Sequence, residues 1–244
     1  MVTGVGRTAG IGAAVARQLA LSGWDIAFTY WNPYDRRMEW GAEPGATDAI
    51  AARLGQAGAA SVSVEADLAD IRTPERVFDE TARRLGTVTA LVMCHCESVD
   101  SGLLDTTVES FDRHFAVNAR GTWLLIREFG RRFDGARGTG RIVALTSDHT
   151  VGNLPYGASK GALDRITLAA AQELAHLGVT ANVVNPGPVD TGWMTREVRD
   201  AVRARTALDR LGTPQDTAHL IGFLCSPEGQ WINGQLLGSN GGLT

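Results

Sequence analysis

Short β-rich apolar runs alternate with helix-spaced apolar residues along this 244-residue chain, and that alternation constrains its fold more than any other feature. Strands separated by helices cannot pair as hairpins; they run parallel, with the intervening helices covering the sheet. The runs are Asp25 to Trp31, Ala60 to Ala66, Val88 to Met93, Arg141 to Ser147, Val179 to Val184 and Gly234 to Gly238. Between them the spacing predicts a helix capped by Thr47 and reaching about Gln56, one opened by Thr73-Pro74-Glu75 with Thr73 as its cap, and a long one from Thr107 to about Phe133. Further helices hold Ala162, Leu163, Ile166, Ala169 and Ala170, or start at Thr213-Pro214 and end before Ser226-Pro227. The expected class is α/β: one domain over residues 1–244, a doubly wound parallel sheet with helices on both faces. At 44% hydrophobic residues, such a chain can bury a substantial core.

The opening Met1-Val2-Thr3-Gly4-Val5-Gly6-Arg7-Thr8-Ala9-Gly10-Ile11-Gly12 runs from an apolar segment through glycines into a helical pattern that Ile11 begins. Only three residues precede Gly4, so the first strand is expected to be short or to lack its natural start. Gly4, Gly10 and Gly12 would let backbone approach a pyrophosphate, with the free N–H groups of the following helix beneath it. In such folds an acid at the end of the second strand bonds the adenosine ribose of NAD, whereas arginine suits the extra phosphate of NADP. Tyr30 and Trp31 stand where the acid would be, with Arg36 and Arg37 soon after and Arg7 in the glycine loop. These residues favour NADP(H) over NAD(H). Asp35 argues the other way if the loop returns it to the ribose. Residues 31–46, with Pro33 and Pro44, read as a long connection that periodicity does not resolve.

Tyr156-Gly157-Ala158-Ser159-Lys160 contains the only lysine, the other 22 basic residues being arginine. On a helix, residues four apart share a face, so phenol and ammonium can reach one ligand. A nearby positive charge favours phenolate and is expected to pull the Tyr156 pKa down toward the working range, making it a general acid or base. A compact ammonium can also bond ribose hydroxyls, which arginine's planar fork suits less well. Nine residues earlier, Ser147 ends a strand, the side on which open α/β sheets bind ligands; a hydroxyl that merely satisfies the turn is the competing reading. Asn118, a poor helix-interior residue, is expected either exposed or holding a kink or a water. Cys94-His95-Cys96 lacks zinc-finger spacing and a second ligand pair, so no metal site is expected. Three cysteines, an odd number, fit reduced thiols. The formal charge of −4, scattered arginines, and the lack of a long apolar run or secretion signal point to a cytoplasmic protein without nucleic-acid or membrane partners.

The glycine loop, Asn118, Ser147, Tyr156 and Lys160 together resemble the short-chain dehydrogenase/reductase family in its single-domain form, and the resemblance covers nearly the whole chain, including Asp67-Leu68 and Pro186-Gly187-Pro188. It implies a seven-stranded Rossmann-type sheet, a nicotinamide cofactor and a homotetramer, or a dimer. By that resemblance Tyr156 donates a proton to a carbonyl oxygen that Ser147 hydrogen-bonds, Lys160 binds the nicotinamide ribose and tunes Tyr156, and Asn118 anchors a water. Asp67, with Leu68 beside it, meets the adenine; Pro186, Gly187, Val189 and Thr191 line the nicotinamide side, Thr191 facing the carboxamide. The sequence departs from the family pattern in three places. Five residues instead of three separate Gly4 from Gly10, Met93-Cys94-His95-Cys96 replaces NNAG, and the Ser147 to Tyr156 interval is short. His95 and Cys96 bear on the adenosine ribose; the short interval implies a roomier or differently oriented pocket. Trp193 to Arg210, with five arginines, reads as a mobile helical flap. The leading expectation is reduction of a ketone, most like the 3-oxoacyl-thioester reductases. The alternatives are NAD-dependent oxidation of a sugar, steroid or polyol alcohol, and a dinucleotide-binding regulator without turnover.

Overall fold

The structure is a computed structural model and describes residues 1–243. Its elements follow in order: β1 (Val2–Thr3), α1 (Ile11–Leu21), β2 (Ile26–Tyr30), α2 (Asn32–Arg37), α3 (Ala46–Gln56), β3 (Ser61–Glu65), α4 (Thr73–Leu85) and β4 (Ala90–Met93). Then come α5 (Val108–His114), a wide π-helical stretch (Phe115–Gly121), α6 (Thr122–Arg132), β5 (Arg141–Leu145), α7 (Leu154–Glu173), β6 (Thr180–Asn185), α8 (Arg196–Arg205), α9 (Pro214–Cys225) and β7 (Leu236–Gly238). The strands form one seven-stranded sheet in the order β3-β2-β1-β4-β5-β6-β7, parallel throughout. The order in which strands are added reverses between β1 and β4, which opens a crevice beyond the carboxyl ends of the central strands.

Both faces are dry because side chains alternate along each strand. Leu91 and Met93 of β4 and Ile142 and Ala144 of β5 join Val77 and Phe78 of α4, Leu125 and Phe129 of α6 and Leu163 of α7. Their neighbours Val92, Val143 and Leu145 face the other way, onto Val15 and Leu19 of α1, Ile50 and Leu54 of α3 and Ile221 and Leu224 of α9. Short β1 is held on both sides, by Phe28 and by Val92 and Met93, while the Met1 amine donates to the Ala90 carbonyl at 2.7 Å.

The helix boundaries correct two expected caps. Gly45, in left-handed conformation at φ 73°, precedes α3, which places Thr47 inside the helix. Arg72 precedes α4, and Thr73 is its buried first residue without a capping bond. At α9 the expected cap holds, Thr213 and Asp216 exchanging side-chain-to-backbone bonds at 3.3 and 2.8 Å. The helix expected over 107–133 is one helical rod whose middle widens to π geometry around Asn118. The connection at 31–46, which periodicity left open, contains α2, and Asp35 on it reaches the glycine loop.

Candidate active site

Four elements converge at the carboxyl ends of β4 and β5. Pro155 sits in the first turn of α7, where its missing N–H costs nothing, and starts the helix that carries Tyr156 and Lys160 one turn apart. Lys160 is 2% exposed, and its ammonium donates to the carbonyls of Leu145 at 2.8 Å and His95 at 3.4 Å, tying the ends of both strands to α7. Its Nζ lies 5.7 Å from the centre of the Tyr156 ring. Ser147, two residues past β5, lies close enough to the Tyr156 phenol to lower its pKa by hydrogen bonding and accepts from the His149 N–H at 3.2 Å.

Asn118 is fully buried, which excludes the exposed alternative, and it sits in the π-helical distortion of its helix. Its Oδ1 accepts from the Glu97 N–H at 2.7 Å, and its Nδ2 donates to the Glu97 carbonyl and to Ser159 Oγ, each at 2.9 Å. Ser159 Oγ in turn donates to the Tyr156 carbonyl at 2.8 Å. A π-turn, rare and associated with functional positions, is the local distortion that lets one side chain hold the segment after β4 and α7 together.

The expected tuning of Tyr156 by Lys160 is not what the closed site does. Burial pushes the phenol well above its usual range, Cys96 adds to that, and Ser147 opposes it. The Lys160 ammonium is committed to two carbonyls rather than aimed at the phenol oxygen, and burial lowers its own pKa. Replacement of the NNAG segment has two different results. His95 turns away from the crevice into the core, with Nδ1 2.7 Å from Thr3 Oγ1, and burial lowers its pKa to about 3. Cys96 faces the site among Tyr34, Tyr156, Lys160 and Glu97, and burial pushes its thiol up.

Charges missed by sequence reasoning line the crevice. The Glu97 carboxylate, only 3% exposed, accepts Arg37 at 2.7 Å on both oxygens and Arg113 at 3.5 Å. Arg113 also grips both oxygens of Asp67, at 3.0 and 3.1 Å. The expected adenine partner Asp67 is thus engaged by a guanidinium, and Arg37, one of the arginines favouring NADP, is engaged by Glu97. Arg36 faces solvent. Nothing in local spacing marks Glu97 or Arg113, because Glu97 follows β4 and its partners Arg37 and Arg113 come from α2 and α5.

Other expected residues fall around the same opening. Gly4 crosses β4 so closely that a Cβ there would lie 2.6 Å from the His95 backbone, and a Cβ on Gly12 would lie 2.7 Å from the Gly4 carbonyl. Gly10 caps α1, whose first turn carries no acid and no side-chain cap, and partly buried Ile11 starts it. Tyr30 ends β2 beside Glu65, and Leu68 is buried under Gly121. On the far side, Pro186 and Val189 are buried, and the Gly187 N–H donates to Asn185 Oδ1 at 3.0 Å. The Thr191 Oγ1 and carbonyl accept from Arg7 at 3.3 and 3.2 Å.

The donor set fits a nicotinamide dinucleotide. An uncapped helix N-terminus with Arg7 beside it offers what a pyrophosphate needs, and a buried ammonium lies 5.7 Å from the centre of the Tyr156 ring.

Comparison with known proteins agrees. The family model for enoyl-(acyl carrier protein) reductase matches residues 4–244. YjdA, an uncharacterized oxidoreductase of Bacillus subtilis, is 36% identical over 247 residues, covering 99% of this chain and 95% of that protein. A dehydrogenase/reductase structure from Sinorhizobium meliloti 1021 superposes with a TM-score of 0.87 at 34% identity, covering 99% and 92% of the two chains. A short-chain dehydrogenase from Burkholderia cenocepacia, solved in complex with NADP, gives 0.87 at 32% identity over 99% and 95%. With this sheet, this crevice and relatives that span its whole length, the chain is a member of the short-chain dehydrogenase/reductase family and an oxidoreductase.

Proposed function

We propose that the chain, as a single domain over residues 1–244, is an NADP(H)-preferring carbonyl reductase that interconverts a ketone and a secondary alcohol, with 3-oxoacyl thioesters as the leading substrate class. The observation that carries this reading is the convergence of Ser147, Tyr156, Lys160 and Asn118 on one crevice, with the Asn118–Ser159–Tyr156 bonds holding the catalytic helix to the end of β4. When bound, the nicotinamide supplies the hydride in reduction and accepts it in oxidation. Gly4, Arg7, Gly10, Ile11, Gly12, Tyr30, Asp67 and Leu68 would hold its adenosine and phosphate half. Lys160, Pro186, Gly187, Val189 and Thr191 would hold the nicotinamide half.

In this reading Tyr156 gives its proton to the substrate oxygen while Ser147 donates a hydrogen bond to that oxygen. A phenol kept protonated by burial suits the acid role in reduction, and Lys160, close to the ring, offsets charge left on it. Asn118 fixes the Glu97 backbone and, through Ser159, the helix that carries Tyr156; in this reading it also anchors a water for proton supply. The NADP preference is supported by exposed Arg36 and by the NADP-bound relative. NAD-dependent alcohol oxidation is favoured by one specific observation, the return of Asp35 to the glycine loop.

Residues 193–210 serve as the substrate flap. Supporting this, α8 buries none of its residues and is held at its ends by Arg199–Asp190 and Arg203–Asp209 pairs at 2.8 and 3.0 Å, contacts that open cheaply. A homotetramer or dimer, which would cover exposed Trp123 and Trp231, and a cytoplasmic setting complete the reading; no helix among the described residues is long and apolar enough to cross a membrane.

The test is loss of reduced-nicotinamide absorbance with NADPH and NADH over a panel of acyl-thioester, cyclic and sugar ketones. Turnover is expected, greater with NADPH, and Tyr156→Phe should lower it by about 10²–10⁴-fold. Unchanged turnover in that variant would remove Tyr156 from the proton-donor role.

A further inference from the structure

The segment from Trp31 to Glu43 lies inside the crevice that the preceding reading gives to the dinucleotide, and it touches both ends of it. At the glycine loop, the Asp35 carboxylate is packed so tightly on Gly6 that a Cβ there would come within 2.6 Å of Oδ2. The same carboxylate lies 3.8 Å from Arg7 Nε and accepts the Trp40 indole N–H at 3.0 Å, while the Arg7 guanidinium stacks 4.7 Å over the Trp40 ring. Glu43 accepts the Thr8 backbone N–H at 2.8 Å and the Thr8 hydroxyl at 2.7 Å. At the catalytic end, the Tyr34 hydroxyl donates to the Ser98 carbonyl at 3.3 Å and lies against Cys96 and Tyr156. Between the two ends, Arg37 closes onto Glu97.

Two features of this packing point past ordinary loop structure. A backbone N–H and a guanidinium in a glycine loop are donors that recognise phosphate; here Glu43 takes the Thr8 N–H, and Asp35 lies 3.8 Å from Arg7, whose terminal N–H groups reach Thr191. Asp35 is 7% exposed with its nearest cation at 3.8 Å, a weak compensation for burying a charge there. The carboxylate is therefore held by a contact that costs little to break, and a ligand bringing its own interactions to the glycine loop can displace it.

We propose that Trp31 to Glu43 is a self-inhibitory strap: Asp35 and Glu43 stand in for the phosphates at the glycine loop, Tyr34 covers Tyr156, and a dinucleotide enters only by displacing them. The inference rests on the proposed function. Apparent affinity is then the intrinsic affinity multiplied by the fraction of molecules with the strap open. Removing the two carboxylates raises that fraction without touching the catalytic residues.

The test combines two measurements on the full chain. Hydrogen exchange with and without saturating NADPH or NADH should show amides of 31–43 losing protection on binding while those of 4–12 gain it. In calorimetry, Asp35→Asn with Glu43→Gln should bind NADPH on the order of tenfold more tightly than wild type, because two charge-assisted contacts of the closed state are gone. Binding in the variant where wild type shows none would support the strap equally. Equal or weaker binding in the variant, or unchanged or increased protection of 31–43, overturns it; weaker NADH binding specifically would identify Asp35 as a ribose ligand instead. If neither protein binds either nucleotide, the proposed function falls, and the strap with it.

Discussion

Acid should destabilise this protein through one ring, His95, and the effect can be sized from where that ring sits. The side chain is buried behind β4, and burial lowers its pKa from 6.5 to about 3, the neighbouring Lys160 charge acting in the same direction. The unfolded chain takes up a proton near pH 6.5, but the native chain does not until near pH 3. Between those values the unfolded state binds more protons, so the His95 contribution to stability is full above 6.5 and is lost as pH falls toward 3. Each pH unit in the window is worth about 1.4 kcal/mol, so a drop of about two units from 6.5 removes about 2–3 kcal/mol. That is a large fraction of the roughly 5–15 kcal/mol that holds a domain together. Urea unfolding, followed by tryptophan fluorescence across that window in wild type and His95→Gln, measures the slope directly. The variant will be less or equally stable at neutral pH, but its stability should fall less steeply by about that amount. Identical slopes would show that the ring is protonated in the native state and would refute the assignment of His95 as a neutral core residue.

Asn118→Ala leaves the Glu97 N–H and carbonyl without partners in a dry site, which costs about 2–4 kcal/mol. The melting temperature should fall by about 5–15 °C in calorimetry, and a change under 2 °C, on the order of half a kcal/mol, would mean that water replaces the amide. Arg36→Ala should weaken NADPH binding by about tenfold and leave NADH unchanged; equal losses for both nucleotides, measured by titration calorimetry, would remove Arg36 from phosphate recognition.

Local chemistry made much of this fold readable. Alternating strand and helix patterns specify a parallel sheet because each element must bury its own apolar face, and Val92 against Leu91 and Met93 shows the alternation directly. The helical spacing of Tyr156 and Lys160 likewise places both side chains at the crevice before any tertiary contact is known. Thr213 announces its capping box because the partner, Asp216, is three residues away.

What the sequence left open are the features whose partners are distant along the chain. Asn118 had two possible fates, and the choice was made by Glu97, whose backbone needed both a donor and an acceptor. Cys94-His95-Cys96 carries no signal for which way its side chains turn; Thr3, in a different strand, drew His95 into the core and left Cys96 in the site. Lys160 was expected to lower the pKa of its neighbour, but burial, which no spacing encodes, decided the direction, with Cys96 adding to it. The path of residues 31–43 was unreadable because it depends on two carboxylates finding donors in the glycine loop, more than twenty residues earlier for each. Periodicity reports which face of an element is apolar; burial, charge pairing and proton affinity are properties of the assembled crevice, and only folding brings its walls together.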